Sequence, residues 1–259
     1  MLTKNRIKQL ASLRDSKSRH EHGLFLVEGP KWVSEMLYSD FFLEEVIAIP
    51  EWCREHQALL VSKNIPFTVV SPAELKKVSS MVTPNAVIAV VRIPTVSFAL
   101  SEVLPGLSLM LDGIQDPGNL GTIIRIADWF GIRHIICSHA CADLYNPKVI
   151  QASMGSLMRV KVAYTALTEF LASLPDGFPV YGAVLDGENI MNEKLQSPGI
   201  LVIGNESKGI SPQILSSISR KIKIPAFGDE EPGGKAESLN ASVAAALICY
   251  EFRRGDSQA

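Results

Sequence analysis

The sequence predicts an α/β protein in two parts: a small α/β domain, then a mostly parallel sheet with helices on both faces. Three observations carry this. Short apolar runs alternate with segments of helical periodicity along most of the chain, the pattern of strands and helices taken in turn. The stretch from Ile93 to Gly106, with Pro94 and Pro105, interrupts the alternation and reads as a connector. Directly after it, LSLMLDGIQDPGNLGTIIRIADWFGI (residues 107–132) reads as strand, tight polar loop and helix in succession. A chain of 259 residues with 47% hydrophobic content is long enough for two buried cores. The expected division is 1–98 for the first domain, 99–106 for the linker and 107–259 for the second domain.

In the first domain, strands are expected at Leu24 to Val27, Val46 to Ile49, Phe67 to Val70 and Ala86 to Val91, with helices between. A basic helix precedes them. Residues 1–20 carry Lys4, Arg6, Lys8, Arg14, Lys17 and Arg19 against Asp15 alone, with His20 and His22 beside them. The whole chain has a formal net charge of −2, so this arm concentrates positive charge that the total conceals. Such a run fits either a solvated helix face or phosphate contacts to RNA.

In the stretch after the linker, residues 107–111 form an apolar run short enough for a buried strand. Asp116 is placed to cap a helix that starts at Pro117, and Leu120, Ile123, Ile124, Ala127 and Phe130 recur at helical spacing until Gly131. That stripe packs on a sheet. Arg125 projects away from it, and Asn119 sits in the first turn, at the mouth where strand becomes helix and where open α/β sheets bind ligands. Gly113, Gly118 and Gly121 match neither the dinucleotide fingerprint nor the P-loop, so this loop is not a nucleotide-phosphate cradle.

Strands follow at His134 to Cys137, Arg159 to Ala163, Pro179 to Ala183 and Gly199 to Gly204, with helices at Pro147 to Ser153 and Leu167 to Leu174. Alternation of this kind gives a mostly parallel sheet. Two later stretches carry more than packing. Gly204-Asn205-Glu206 places a carboxylate at the carboxyl end of an apolar strand, beside Gly209. A strand ending at Ile224-Pro225 meets an acidic, Gly-rich loop at 228–237, with Asp229, Glu230 and Glu231 ahead of Gly233-Gly234-Lys235; Ser238-Leu239-Asn240 then opens an apolar final helix.

Other chemistry is scarce. Cys137, His139, Cys141 and Asp143 alternate in CSHACAD, but without the paired spacings of zinc sites, so no metal is expected. Four cysteines, with Cys137 and Cys249 in apolar contexts, read as reduced thiols. Trp32, Trp52 and Trp129 fall in helical patterns and are expected to pack. No apolar run reaches a membrane span and the opening MLTKNRIKQL lacks a signal peptide's apolar region, which predicts a cytoplasmic protein with no membrane contact.

Three ordered motifs resemble the SpoU-type (TrmH-type) knotted RNA ribose 2′-O-methyltransferases. They are Asn119, Gly121 and Arg125 in N-x-x-G-x-x-x-R; Gly204, Glu206 and Gly209 in G-x-E-x-x-G; and Ile224-Pro225 followed by Ser238-Leu239-Asn240-Ala241-Ser242-Val243-Ala244. The resemblance spans residues 107–252, and the N-terminal half is similar to the family's substrate domain, which has a small ribosomal-protein RNA-binding fold. The loop after Ile224-Pro225 is longer and more acidic than the family's usual connector.

The resemblance implies a C-terminal domain tied in a trefoil knot, an exception to unknotted connectivity. It implies a homodimer through that domain, and S-adenosylmethionine bound in a pocket around Ala183, Ile203, Gly204, Ile224 and Leu239. It further implies Arg125 near the reacting hydroxyl, with Asn119, Glu206, Ser238 and Asn240 orienting it, the ribose and the cofactor. The substrate implied is RNA, with ribosomal RNA favoured by the separate N-terminal domain. Transfer RNA, or a non-catalytic RNA-binding assembly protein on the same fold, are the alternatives. Methyl transfer from a sulfonium needs an oxygen held in line and a destination for its proton. Arginine, with a pKa above about 12, suits holding a phosphate and stabilising an alkoxide better than acting as a base.

Overall fold

The chain falls into two compact units in the computed structural model, which describes residues 2–81, 83, 85–227 and 236–256. The acidic loop residues Asp229, Glu230, Glu231, Gly233, Gly234 and Lys235 lie outside the described residues. Residues 1–95 and 145–158 make the first unit, residues 96–144 and 159–259 the second.

In the first unit the elements run α1 (Lys4–Ser12), α2 (Ser16–His22), β1 (Leu24–Glu28), α3 (Pro30–Met36), β2 (Leu43–Ala48), α4 (Pro50–Ser62), β3 (Phe67–Val69), α5 (Pro72–Val78) and β4 (Val87–Arg92). The sheet order is β1-β4-β2-β3; β4 is antiparallel to both its neighbours while β2 and β3 are parallel. Leu10, Leu13 and Leu75 pack with Leu26, Ile47 and Ile88 in one core. Ser71 and Glu74 form a reciprocal capping box that starts α5.

The basic arm differs from the single helix expected. It breaks after Ser12, and Asp15 in extended conformation begins α2. Three of its cations are spent on structure. Arg19 is 1% exposed and donates to Leu13 O and Arg14 O at 2.9 and 2.7 Å. Arg14 donates to Val78 O and Ser79 O, satisfying carbonyls at the end of α5, and Arg6 pairs with Glu45 at 2.8 Å. Lys4, Lys8 and Lys17 remain exposed.

The second unit contains α6 (Leu100–Val103), β5 (Leu107–Asp112), α7 (Pro117–Trp129), β6 (His134–Cys137), β7 (Lys161–Tyr164), α9 (Leu167–Ala172), β8 (Val180–Asn189), β9 (Gly199–Gly204), α10 (Pro212–Leu215), β10 (Arg220–Lys223) and α11 (Ala241–Asp256). The helix α8 (Pro147–Ser153), which the sequence places between β6 and β7, belongs to the first unit. Its Val149 and Ile150 are buried, and the Tyr145 ring just before it lies 4.4 Å from that of Phe25 on β1. Within the stretch 99–106, residues 100–103 are helical, and Val103 is fully buried in the second core.

All six strands of the second sheet are parallel, in the order β10-β8-β9-β5-β6-β7. From β5 the chain moves one way to β6 and β7, then returns to build β8, β9 and β10 on the other side. The reversal lies between β5 and β9, whose last residues Asp112 and Gly204 are register partners. Loops leaving two such strands diverge and open a crevice at their carboxyl ends.

Candidate active site

Asn119 and Glu206 stand at that crevice. Asp116 caps α7, its Oδ1 accepting from Asn119 N at 2.8 Å, with Pro117 in the first turn as the sequence predicts. This fixes Asn119 at the mouth of the β5 to α7 loop. Its Nδ2 donates to Glu206 Oε1 at 2.6 Å, across 87 residues of sequence.

A third residue arrives from the C-terminus. Asn240 accepts at Oδ1 from Ser242 N (3.0 Å), Ser242 Oγ (2.6 Å) and Val243 N (3.4 Å), and so caps α11. Its acceptor thus faces its own helix, and its Nδ2 donates to Asn119 Oδ1 at 2.9 Å. The polarity of the whole chain follows. With its oxygen receiving a proton from Asn240, Asn119 can only donate toward the carboxylate of Glu206.

The structure therefore brings Asn119, Glu206 and Asn240 together and leaves Arg125 and Ser238 outside that chain of bonds. Both are exposed and neither has a hydrogen-bond or ion-pair partner among the described residues. Arg125 is six residues beyond Asn119, on the outer side of α7. Trp129, four residues further on the same side, is 84% exposed and does not pack as expected, because the core stripe of α7 occupies the opposite face. Trp52 is buried.

The expected pocket residues line up at the carboxyl edge of adjacent strands. Ala183 on β8 is beside Ile203 and Gly204 at the end of β9; Ile224 follows β10, and Leu239 precedes the Asn240 cap. Ile203 is 3% exposed, so it can offer backbone only. The pairing of β8 with β10 jumps from Gly182–Lys221 to Glu188–Ile222, so residues 183–187 bow out of the ladder and leave Leu185 open to solvent. Leu239 and Phe227 are also exposed. Apolar side chains left open beside strand-end backbone groups suit a purine ring and a short aliphatic chain, so these residues fit S-adenosylmethionine.

Gly204 and Asn205 shape this edge, and the sequence offered no role for Asn205. A Cβ on Gly204 would lie 2.3 Å from Gly209 C and 2.4 Å from Ile210 N, so the loop folds back on it too closely for any side chain. Asn205 and Gly209 exchange two backbone hydrogen bonds, at 3.0 and 2.9 Å.

Behind the β5 to α7 loop, Ser138 Oγ accepts from Gly113 N at 2.9 Å, and Cys141 Sγ lies 3.2 Å from Leu111 O. A hydrogen bond from Cys137, then those from Ser138 and the amides of Ile114 and Gly113, bring the Cys141 thiol down to about 7 against the opposing effect of burial. Its hydrogen bond with Cys141, reinforced by burial, pushes Cys137 up. No group of three or more His, Cys, Asp or Glu side chains placed to hold a metal occurs among the described residues.

Comparison with known proteins matches a model of the SpoU rRNA methylase family to residues 106–250, and one of the MRM3-like substrate binding domain to residues 4–89. The 23S rRNA (guanosine(2553)-2′-O)-methyltransferase RlmP of Bacillus subtilis is 30% identical over 250 residues, 96% of each chain. A TrmH-family protein of Porphyromonas gingivalis superposes with a TM-score of 0.88 at 40% identity, covering 98% of this chain and 99% of its own. An AdoMet-bound rRNA methyltransferase of Sinorhizobium meliloti superposes at 0.86 with 25% identity, covering 98% of this chain and 96% of its own.

Proposed function

Because the chain belongs to the SpoU rRNA methylase family, we propose that it methylates a ribose 2′-hydroxyl of ribosomal RNA, with S-adenosylmethionine as donor. The observation that carries this is the Asn240, Asn119, Glu206 chain at the point where the parallel sheet reverses. Three polar residues from three distant stretches are assembled at the carboxyl edge, next to apolar residues open to solvent. Packing alone does not require such an assembly.

When bound, S-adenosylmethionine supplies an electrophilic methyl on a sulfonium. The chain's own residues do the rest. Glu206, oriented by Asn119, accepts from a hydroxyl of the nucleoside and fixes its direction. Asn240 keeps Asn119 in the donating sense while capping α11. Arg125 holds a phosphate of the RNA and neutralises charge as the ribose oxygen loses its proton, which the phosphate receives. Ser238, exposed two residues before the Asn240 cap, is taken to contact the substrate. Ala183, Gly204, Ile224 and Leu239 enclose the adenosine, with the backbone of Ile203. No metal enters this scheme.

The finer points of the reading are a trefoil knot, a homodimer and cytoplasmic action. The knot is supported by the late segment 240–256, which bonds Asn119 and packs α11 on α7. The dimer is supported by an exposed apolar stripe along α11, Val243, Leu247 and Tyr250, and by an exposed Trp129 on α7. Among the described residues no helix is long and apolar enough to cross a membrane. The substrate domain and the free lysines of α1 and α2 support RNA as partner, and ribosomal RNA ahead of transfer RNA follows from the matched families. A non-catalytic assembly role would leave the ordered Asn119 to Glu206 contact without a purpose.

The test is ribose-methylation mapping of total RNA with and without the gene, together with calorimetry of S-adenosylmethionine binding in the presence of a chelator. One ribosomal RNA site is expected to lose its methyl group, with cofactor binding unaffected by chelation. An unchanged map, or binding that the chelator abolishes, refutes the proposal.

A further inference from the structure

The loop that carries Glu206 is tied to the β5 strand end at both of its ends, and neither tie is made by a residue assigned above. At its start, Asn205 Nδ2 donates to Gly113 O at 2.8 Å. The same side chain accepts at Oδ1 from Ser207 N and Lys208 N, each at 3.0 Å, which turns the loop back on itself. At its far end, Ser211 N donates to Asp112 Oδ2 at 2.8 Å. Asp112 and Gly113 are consecutive, and Gly113 is itself held from behind by Ser138. Four residues after the Gly113 tie, α7 begins with Asn119 in its first turn.

We infer that Asn205 and Asp112 are positioning residues for the methyl transfer, clamping the 205–211 loop onto residues 112–113 so that Glu206 meets Asn119 in one register. The inference rests on the role given to Glu206 under the proposed function. Its physical basis is the short lever. Glu206 is the residue next to the Asn205 clamp, Gly204 on the other side is pressed against Gly209 and Ile210, and the backbone of Asn205 is paired with Gly209, so the side-chain ties act on a backbone that has little slack of its own. Glu206 and Asn119 lie on segments leaving two strands whose pairing ends at Asp112 and Gly204, and beyond that point the ladder no longer sets their separation. The bonds to Gly113 and Asp112 join the two loops directly, and a 2.6 Å contact to a carboxylate survives only small errors in that separation.

Asn205→Asp separates this role from a merely structural one. The aspartate keeps an acceptor for Ser207 N and Lys208 N, so the loop still turns, but it places a carboxylate oxygen against Gly113 O and opens the clamp. Asp112→Ala opens the other end independently. On the full chain the measurements are S-adenosylmethionine affinity by calorimetry, and kcat and KM for methyl transfer to ribosomal RNA lacking the modification. Asn205→Asp is expected to keep cofactor affinity and KM within about twofold and to lower kcat by ten- to a hundredfold, as a misplaced group does; Asp112→Ala should do the same more weakly. If Asn205 acts through Glu206, the double variant Asn205→Asp, Glu206→Ala should be no slower than Glu206→Ala alone. A slow Glu206→Ala on which Asn205→Asp multiplies its full loss, or an Asn205→Asp and an Asp112→Ala that both turn over at the wild-type rate, would overturn this inference and leave the proposed function standing. A Glu206→Ala enzyme at the wild-type rate would overturn both.

Discussion

Replacing Arg125 by alanine separates chemistry from folding more cleanly than any other substitution in the second unit. The side chain is exposed and has no hydrogen-bond or ion-pair partner among the described residues, while Ile123, Ile124 and Ala127 around it carry the buried face of α7. Nothing in the fold is lost with it. Substitutions of this kind change stability by less than about 0.5 kcal/mol, and alanine is the slightly better helix former. Thermal unfolding should therefore stay within about 2 °C of wild type. Arg125 lies six residues after Asn119, about 9 Å further along the helix axis, so its removal leaves the Asn240, Asn119, Glu206 chain intact. Cofactor affinity should persist. If the guanidinium holds the phosphate and offsets the developing alkoxide charge, methyl transfer should fall about a hundredfold or more, equivalent to roughly 2.7 kcal/mol of transition-state stabilisation. The assay is single-turnover transfer to ribosomal RNA from a strain lacking the gene, with calorimetric cofactor affinity measured on the same preparations. A variant that methylates at the wild-type rate refutes the mechanism, and one that fails to fold refutes the claim that this arginine is free of structural duty.

Gly204→Ala puts a methyl group 2.3–2.6 Å from backbone atoms of Gly209 and Ile210, which cannot swing aside. A loss of about 1–3 kcal/mol in denaturant unfolding and a fall in activity are expected, and a variant equal to wild type in both would show that the loop has slack. Changing Lys4, Lys8 and Lys17 together to glutamine should weaken RNA binding and flatten its salt dependence by up to about two logarithmic units per decade, without altering cofactor affinity. An unchanged salt slope returns these lysines to an ordinary solvated face; Arg6, Arg14 and Arg19 are left out because the fold uses them. The Cys141 thiol should alkylate with iodoacetamide with a midpoint near pH 7, since thiolate grows as pH rises through about 7, while Cys249, pushed up to about 12 by burial, stays inert. A rate that climbs only above pH 8.5 would mean that Leu111 O, 3.2 Å from the sulfur, holds the proton.

Much of this molecule was legible along the chain. The strand Gly199 to Gly204, the strand His134 to Cys137 and the helix Pro147 to Ser153 have the expected bounds, and the Asp116 cap with Pro117 behind it is where the spacing put it. These are local matters of apolar period, capping and the fixed φ of proline, and neighbours in sequence decide them. Bounds shifted where a neighbour in space took over: β8 runs on to Asn189 because β10 pairs with Glu188 and Asn189 after the bow.

The candidate residues were legible as types in order, without their arrangement. By itself the sequence determined the ordered motifs that hold the candidate groups and that Asn119 and Glu206 follow strand ends. Only the tertiary structure decided that Asn240 polarises Asn119, that Asn119 donates to Glu206, that Arg125 stands apart, and that Asn205 ties two loops together. It also decided that Arg19 is buried and that α8 joins the first unit. The physical reason is the same in each case. A hydrogen bond between residues separated by 87 or 121 positions depends on which strands lie side by side and in what register, and that follows from the packing of the whole sheet rather than from any stretch of sequence.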